Sequence, residues 1–535
     1  MTEVLAPTPA TPRPRTAEPV PARRGSRPWW LLAATFAVAV VMVTPLVFLL
    51  IEARGAGTGE VWDVIWRPLT RTLLWNTVRL MVVVTAFCAV IGTLTAWCVE
   101  RTDLPLRRFW AVIVVIPFAI PDFVMSFGWW SLTTRVEGFQ GAVFVMTFTL
   151  YPLVYLPVAA SLRSADPGLE DASRTLGVGR IRTFLRVTLP QTRGAIAGGC
   201  LLVALVLLAE YGAFEIIAYQ TFTTEIFTEF QLSFNVPAAC ALSLVLVALS
   251  FVVLGSDVAV RGRSRVMYTG RLAQRALPRH RLGRAKIPVF LGFVVLVSLA
   301  VVEPIAASVY WIFEGGAHTL AGHSIVNAAW HTALYAGSAA ALTTAMALPV
   351  ALLAVRHRGP AVLLLERSTF LALAMPGLVI ALALTYFSER YANGFEYQTA
   401  PMLVVAYALL FFPFALVTVR ASVAYASTGL EDAARSLGQG RVAAFRRVTL
   451  PLIGPGLAAA FCLVFLASVT ELTATLLLVP PGVQTLGTQF WAYEQNLSYG
   501  QAAPYGLVIV ALAAAPCYVL ARFFQRLPTR ATRPA

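Results

Sequence analysis

The chain is dominated by long apolar stretches, and their length constrains its fold more than any other feature. Each of twelve stretches is long enough, as a helix of about 20 residues, to cross roughly 30 Å of hydrocarbon. They cover 29–51, 72–98, 109–131, 141–162, 195–219, 237–256, 288–313, 327–355, 368–388, 401–423, 456–479 and 504–524. A hydrophobic content of 58% with 13% charged residues is typical of membrane proteins. We therefore predict an all-α protein with twelve transmembrane helices.

The basic residues predict how these helices are oriented. If the N-terminus is cytoplasmic, five of the 41 Lys and Arg residues fall in outer loops and one, Arg79, lies within the second helix, which leaves 35 inside. Lys and Arg in short loops stay on the cytoplasmic side. We thus predict a multi-pass protein of the cell (plasma or inner) membrane with both termini in the cytoplasm.

The net charge of +15 is spread over all the predicted cytoplasmic segments. Topology and attraction to anionic lipid account for such a distribution better than nucleic-acid binding does. Membrane lipid is therefore an expected partner, and nucleic acid is not.

A basic segment divides the helices into six and six. Residues 257–287 carry nine Arg and Lys residues with little apolar periodicity, which predicts a cytoplasmic linker. Because each half crosses the membrane an even number of times, the halves 29–256 and 288–526 run parallel. Residues 1–28, rich in Pro and Arg, predict a disordered cytoplasmic tail, and residues 527–535 form a second cytoplasmic tail.

A hydrophilic segment of 22 residues occurs twice, 261 positions apart. Residues 169–190 read LEDASRTLGVGRIRTFLRVTLP and residues 430–451 read LEDAARSLGQGRVAAFRRVTLP, with 15 identical positions. Both copies fall on the predicted cytoplasmic side, between the fourth and fifth helices of each half. Since loops normally vary more than the helices beside them, this similarity indicates a binding role.

Each copy of this repeated loop predicts a short amphipathic helix. Three apolar residues recur at helical spacing in each: Leu169, Ala172, Leu176 and Leu430, Ala433, Leu437. Gly177 and Gly438 should then end the helix. An apolar face outside the membrane needs a partner groove. The alternative is a helix that lies on the inner leaflet.

The pattern Glu, Ala, then Gly seven positions after the Glu, with a closing Leu-Pro, resembles the EAA loop of permease subunits of binding-protein-dependent ABC importers. In both copies Asp replaces the first Ala of the literal Glu-Ala-Ala, a common variation. The resemblance implies the type I ABC-importer permease fold, with loops that dock into a cytoplasmic ATPase. The coupling residues it implies are Glu170, Asp171, Ala172, Gly177, Leu189, Pro190, Glu431, Asp432, Ala433, Gly438, Leu450 and Pro451.

Two such loops on one chain resemble the fused permeases that replace a permease dimer. The two halves would then be two permease domains that engage two copies of the ATPase and one extracytoplasmic binding protein. Residues 208–230 and 470–499 are similar to segments of fused iron(III) permeases, which implies iron(III) as cargo. Thiamine or a phosphonate is an alternative cargo, and a proton-coupled secondary transporter of twelve helices is an alternative function. A secondary transporter, however, has no use for a repeated ATPase-docking loop.

The chain contains no nucleotide-binding P-loop of its own. That motif requires Gly-x4-Gly-Lys-Ser/Thr to hold phosphates, and the only lysine, Lys286, lies between Ala285 and Ile287. We therefore predict a non-enzymatic subunit without a bound cofactor, whose ATP is hydrolysed by a separate polypeptide.

Carboxylates within apolar helices are costly and need a reason. Such residues are Asp122, Glu210, Glu215, Glu303 and Glu471. Glu210 and Glu471 occupy equivalent positions in the predicted fifth helices, and Tyr211 and Glu215, four apart, share a helical face. Hard oxygen donors suit Fe(III). One hypothesis is that Glu210, Tyr211, Glu215 and Glu471 line a cation path, with transient metal contact at Glu210 and Glu471. The alternative is that they join helices through hydrogen bonds.

Overall fold

A computed structural model of the chain describes residues 29–55, 58–164, 167–261, 280–316, 322–357, 359–369, 371–372, 375–391, 398–426 and 428–526. The helices of the first half are α1 Trp29–Gly55, α2 Thr58–Trp66, α3 Pro68–Arg101, α4 Arg107–Ile113, α5 Asp122–Leu132, α6 Gly138–Leu150, α7 Pro152–Ser164, α8 Pro167–Thr175, α9 Arg180–Thr183, α10 Leu189–Ala209, α11 Gly212–Ile216, α12 Phe222–Gln231 and α13 Val236–Arg261. Those of the second half are α14 Lys286–Val297, α15 Glu303–Gly315, α16 Gly322–Arg356, α17 Pro360–Thr369, α18 Gly377–Tyr391, α19 Ala400–Tyr425, α20 Thr428–Ser436, α21 Arg441–Ala444, α22 Leu450–Val469, α23 Thr473–Leu478, α24 Leu486–Gln495 and α25 Tyr499–Arg526. The predicted all-α class is confirmed.

Within the described residues, ten helical stretches are long and apolar enough to cross a membrane. An eleventh span results if the bent pair Arg107–Ala119 and Asp122–Leu132 is counted as one. Eleven of the twelve predicted spans correspond to these stretches, with 109–131 matched by the bent pair, whereas the predicted span 368–388 has no counterpart of sufficient length among the described residues. The predicted tails 1–28 and 527–535, and residues 262–279 of the predicted linker, lie outside the described residues.

The third predicted span of each half, 109–131 and 368–388, is not one continuous helix, and a proline directly precedes the helix that follows each break. The first is bent by 89° at Pro121, because proline forces Ile120 into an extended conformation (φ −92°, ψ 118°). In the second half, α17 ends at Thr369 and α18 begins only after Pro376. Both breaks place the start of a new helix inside the bundle.

The fifth long helix of each half is shorter than predicted, so the predicted spans 195–219 and 456–479 are also wrong. Helix α10 ends at Ala209 and α22 ends at Val469. Glu210 then adopts an extended conformation, and its carboxylate accepts a hydrogen bond from the Ala213 N–H at 2.8 Å. Glu471 accepts the equivalent bond from the Ala474 N–H at 2.9 Å. Each carboxylate thus caps a new short helix, α11 or α23.

The buried core does not follow the division of the chain into halves. One apolar cluster joins α3 to α7 of the first half with α14, α25 and the end of α22 from the second. The other joins α16 to α19 with α1 and α13. The first span of each half packs on the other half. Helix α1 contacts α16, α17 and α18, and α15, the second part of the stretch Gly283–Gly315, contacts α5.

Candidate functional site

The two repeated loops fold as the sequence predicts. Each begins with a nine-residue helix, α8 or α20, that ends at a glycine in the left-handed region, with φ of 76° at Gly177 and 86° at Gly438. The Val178 N–H donates to the Ser173 carbonyl at 3.1 Å, a bond that closes the end of α8. The chain therefore reverses sharply before a second short helix, α9 or α21.

Both loops then enter the long helices through a π-helical turn, at Phe184–Thr188 and Phe445–Thr449. The cause is the proline that follows each turn. Pro190 has no N–H, and its ring would clash with the carbonyl four residues earlier, which a wider turn relieves. The Leu189 N–H accordingly donates to the Phe184 carbonyl, five residues back.

Glu170 of the first loop faces the protein itself. Its Oε1 lies 3.2 Å from Nη2 of Arg101, the last residue of α3, and accepts a hydrogen bond from the Thr188 hydroxyl at 2.8 Å. The Arg101 and Glu170 side chains are only 1% and 2% exposed. Glu170 therefore fastens α8 to the ends of both α3 and α10.

Glu431 makes the equivalent contacts in the second loop. Its Oε2 lies 2.9 Å from Nη1 of Arg356, the last residue of α16, and accepts a hydrogen bond from the Thr449 hydroxyl at 2.8 Å. Here the Arg356 and Glu431 side chains are 20% and 19% exposed, so the second anchor is more accessible to water than the first.

The apolar side chains of the two short helices face outward. Leu176 is 81% and Leu437 is 83% exposed, and Leu169 and Leu430 are each about half exposed. Ala172 and Ala433 are also exposed, which completes an apolar stripe on each helix. Asp432 is exposed and lies 3.7 Å from Arg435, whereas the Asp171 side chain lies outside the described part. Leu189, Pro190, Leu450 and Pro451 begin the long helices α10 and α22.

Three carboxyl groups meet where the two halves face each other. The Asp122 and Glu210 side chains approach within hydrogen-bonding reach, and Glu471 of the other half is close enough to interact electrostatically with both. All three side chains are partly exposed. The structure thus brings Glu210 and Glu471 within electrostatic reach of each other, at the ends of helices instead of within them.

The second half contributes no partner equivalent to Asp122. Gly377 occupies that place at the start of α18, and a Cβ atom there would lie 3.2 Å from Glu471 Oε1. Among the described residues, no group of three His, Cys, Asp or Glu side chains has an arrangement that could hold a metal ion. Transient metal contact at Glu210 and Glu471 stays a prediction.

The side chains of Tyr211 and Glu215 have contacts of their own. The Tyr211 ring is 2% exposed and stacks on Phe227 with a centroid distance of 4.3 Å. Glu215 is exposed. Glu215 and Glu494 are the two carboxyl groups that interact electrostatically with Tyr211. The four predicted path residues thus divide into two groups.

The sequence interpretation missed the partners of the two loop carboxylates. Thr188 and Thr449 were available as a signal, because both belong to the identical Val-Thr-Leu-Pro ending of the repeat. Arg101 and Arg356 lie 255 positions apart, the spacing that relates the early helices of the two halves.

Comparison with known proteins relates this chain to membrane transport. The family model described as "Binding-protein-dependent transport system inner membrane component" matches it twice, at residues 88–266 and 346–534. The chain is 37% identical to the Fe(3+)-transport system permease protein FbpB 2 of Haemophilus influenzae, over 93% of this chain and 98% of that protein. It is 22% identical to the ferric transport system permease protein FbpB of Actinobacillus pleuropneumoniae, over 91% of this chain and 76% of the relative. The sulfate transport system permease protein CysT of Salmonella typhimurium is 30% identical over 41% of this chain and 86% of its own length.

Proposed function

The chain belongs to the family of binding-protein-dependent transport system inner membrane components, as a fused permease of the ABC-importer class, and from this premise we propose that it imports iron(III). An extracytoplasmic binding protein delivers the iron, and two copies of a separate ABC ATPase supply the energy. Residues 29–256 and 288–526 are its two permease domains. The protein lies in the plasma or inner membrane with both termini in the cytoplasm.

The observation that carries this proposal is the pair of repeated loops, which we call the coupling loops (residues 169–190 and 430–451). Each presents an exposed apolar stripe, with Leu176 or Leu437 most exposed, while its glutamate is turned inward. A stripe of this kind fits a groove on a partner. Since the halves are parallel, both stripes face the same side and accommodate two copies of one ATPase.

The contacts of the loop glutamates explain how movement of the ATPase reaches the carboxyl cluster between the halves. Glu170 binds the coupling helix α8 to Thr188 at the start of α10, and α10 ends next to Glu210 of the carboxyl cluster. With 21 residues, α10 is about 30 Å long. A displacement of α8 is therefore passed along one rigid helix to the place where the halves meet, as alternating access requires.

The docking role is tested by Leu176→Asp combined with Leu437→Asp. We expect the double variant to lose the ATPase on copurification, because a carboxylate in an apolar groove pays a desolvation cost. Leu497→Asp, which changes a leucine that is 72% exposed in an outer loop, is the matched control. Full retention of the ATPase by the double variant would rule out docking through these stripes.

The carboxyl cluster supports a cationic cargo. Asp122, Glu210 and Glu471 bring carboxyl oxygens together between the halves, and such hard donors suit a metal cation better than a dianion such as sulfate. The two ferric relatives match more than nine-tenths of this chain, whereas the sulfate relative matches 41%. Iron(III) is the cargo that both lines of support favour.

Glu210→Gln combined with Glu471→Gln tests this part of the proposal. We expect uptake of radioactive iron to fall about tenfold, equivalent to roughly 1.4 kcal/mol, because an amide is a weaker donor to the cation than the carboxyl group that it replaces. ATPase copurification should not change, and Glu314→Gln, an exposed position, serves as control. Wild-type iron uptake by the normally expressed double variant would show that these carboxylates do not serve the metal.

The energy source distinguishes the importer from a proton-coupled secondary transporter. In proteoliposomes that contain the chain, the ATPase and the binding protein, we expect iron uptake to require ATP and to persist with a protonophore. Uptake driven by a proton gradient without the ATPase would support the secondary transporter instead. Competition by thiamine or a phosphonate, but not by iron, would reassign the cargo alone.

A further inference from the structure

The end of the linker between the halves is attached to the first half by backbone pairing. The His280 N–H donates to the Arg101 carbonyl at 2.8 Å, and its carbonyl accepts from the Asp103 N–H at 3.1 Å. This pairing surrounds Thr102, directly after α3. Helix α14 of the second half begins only six residues later, at Lys286. The linker therefore joins the end of α3 to the first helix of the second half through a very short segment.

Asp103 holds the same segment at a second point. Its Oδ1 accepts a hydrogen bond from the Leu282 N–H at 2.7 Å, and its Oδ2 lies 3.8 Å from the Lys286 Nζ. The Leu282 N–H, with help from the Lys286 charge, lowers the pKa of the Asp103 carboxyl, which therefore stays ionised at neutral pH. The Leu282 side chain packs against the apolar cluster that joins α3 to α7 with helices of the second half. The attachment thus combines backbone, ionic and apolar contacts.

The His280 side chain reaches the anchor of the first coupling loop. Its Nε2 lies 4.0 Å from Glu170 Oε2, and its ring lies against Trp97 with a centroid distance of 6.0 Å. Trp97 in turn packs on Phe184 of the same loop, with a centroid distance of 5.3 Å. The imidazole is only 13% exposed. His280 therefore contacts the first part of the coupling loop at Glu170, and it is separated from the second part, at Phe184, only by the Trp97 side chain.

We propose that residues 280–286 are a brace that positions the first coupling loop and links its movement to the second half. His280 is a positioning residue for Glu170, and Asp103 fixes the brace to the end of α3. Movement of α8 then reaches α14 and α15 directly, and α15 packs on α5, the helix that begins with Asp122. At the second loop, Glu431 is held by Arg356 and Thr449, from its own half. The two coupling loops consequently transmit movement unequally, an inference that rests on the proposed function.

Hydrogen–deuterium exchange of the purified full-length chain tests the brace without cargo or ATPase. In His280→Ala and in Asp103→Ala we expect amides of residues 170–176 to exchange about fivefold faster, the effect of losing one stabilising contact. Amides of residues 431–437 should keep their wild-type rates. Asp103→Asn retains an acceptor for the Leu282 N–H and should therefore exchange more slowly than Asp103→Ala at residues 170–176. This variant keeps the test decisive if Asp103→Ala does not fold. His323→Ala, an exposed histidine near the opposite end of the molecule, is the control.

The same variants, reconstituted with the ATPase and binding protein, should import less iron per ATP hydrolysed while the ATPase remains bound. Unchanged exchange at residues 170–176 in both His280→Ala and Asp103→Ala, or equal acceleration in both loops, would overturn the brace. Failure of the wild-type chain to bind any ATPase would overturn the proposed function instead, while the exchange result would still decide whether the brace positions the loop.

Discussion

At the scale of single residues, the two loop glutamates are prominent in the repeated motif, but their side chains face the protein and not the solvent. Glu170 and Glu431 belong to the repeated motif, and we predicted both as part of an ATPase-coupling surface. Each forms an ion pair with an arginine of its own chain, and its role in coupling stays a prediction. A buried charge must be paired, since the partner left alone keeps its desolvation cost. The glutamates therefore hold the loop, and the exposed leucines are left to meet the partner.

The ion pairs of Glu170 and Glu431 should differ in how much stability the chain loses when the arginine is truncated to alanine. Arg101→Ala leaves the buried Glu170 without its cation and should destabilise the chain by about 3–5 kcal/mol. Arg356→Ala should cost less, because water reaches Glu431. Thermal unfolding of the purified variants measures which of the two substitutions lowers the stability more.

Arg163→Ala, which removes a cation that is 60% exposed and pairs with Glu100, is the control, with an expected loss below about 1 kcal/mol. If Arg356→Ala proves more damaging than Arg101→Ala, burial does not set the strength of these anchors.

At the scale of elements, the shape of each coupling loop depends on glycine and proline. Gly177 and Gly438 end the short helices in the left-handed region, and Pro190 forces a wider turn before α10. Pro121 also lies at the 89° bend in the third span of the first half. These residues explain why the length of an apolar stretch alone does not predict where its helix bends or ends.

Alanine at either loop glycine should therefore act through backbone strain alone. A Cβ atom at Gly177 or Gly438 would meet nothing within 4 Å, so the cost is the left-handed conformation, about 1 kcal/mol. We expect the ATPase affinity of Gly177→Ala and Gly438→Ala to fall about fivefold, as measured by titration of the reconstituted chain. Gly194→Ala, inside α10 and equally unobstructed, should be neutral or stabilising. Wild-type affinity in both loop variants would mean that the loop reverses without this conformation.

At the scale of the whole molecule, the halves are equivalent in sequence pattern but not independent in packing. Helix α1 packs on the second half and α15 packs on the first, so each core draws on both halves. The burial of apolar and small side chains between helices stabilises such contacts in lipid. The fused chain is therefore one structural unit.

Residues 1–270 and 271–535 expressed as two separate chains should assemble when made together and be degraded when made alone. The reason is that each fragment lacks helices that complete its core. Copurification through a tag on one fragment measures assembly. A first fragment that is monodisperse and resistant to protease by itself would contradict the shared cores.

The sequence by itself determined the membrane class, the parallel halves, and the place and local shape of the coupling loops. These depend on apolar length, charge asymmetry and glycine position, which act locally along the chain. Only the tertiary structure decided which way Glu170 and Glu431 face, that the Tyr211 ring stacks on Phe227, and that His280 reaches the first loop. Such contacts join residues up to 110 positions apart, and their direction follows from packing between helices, on which periodicity carries no information.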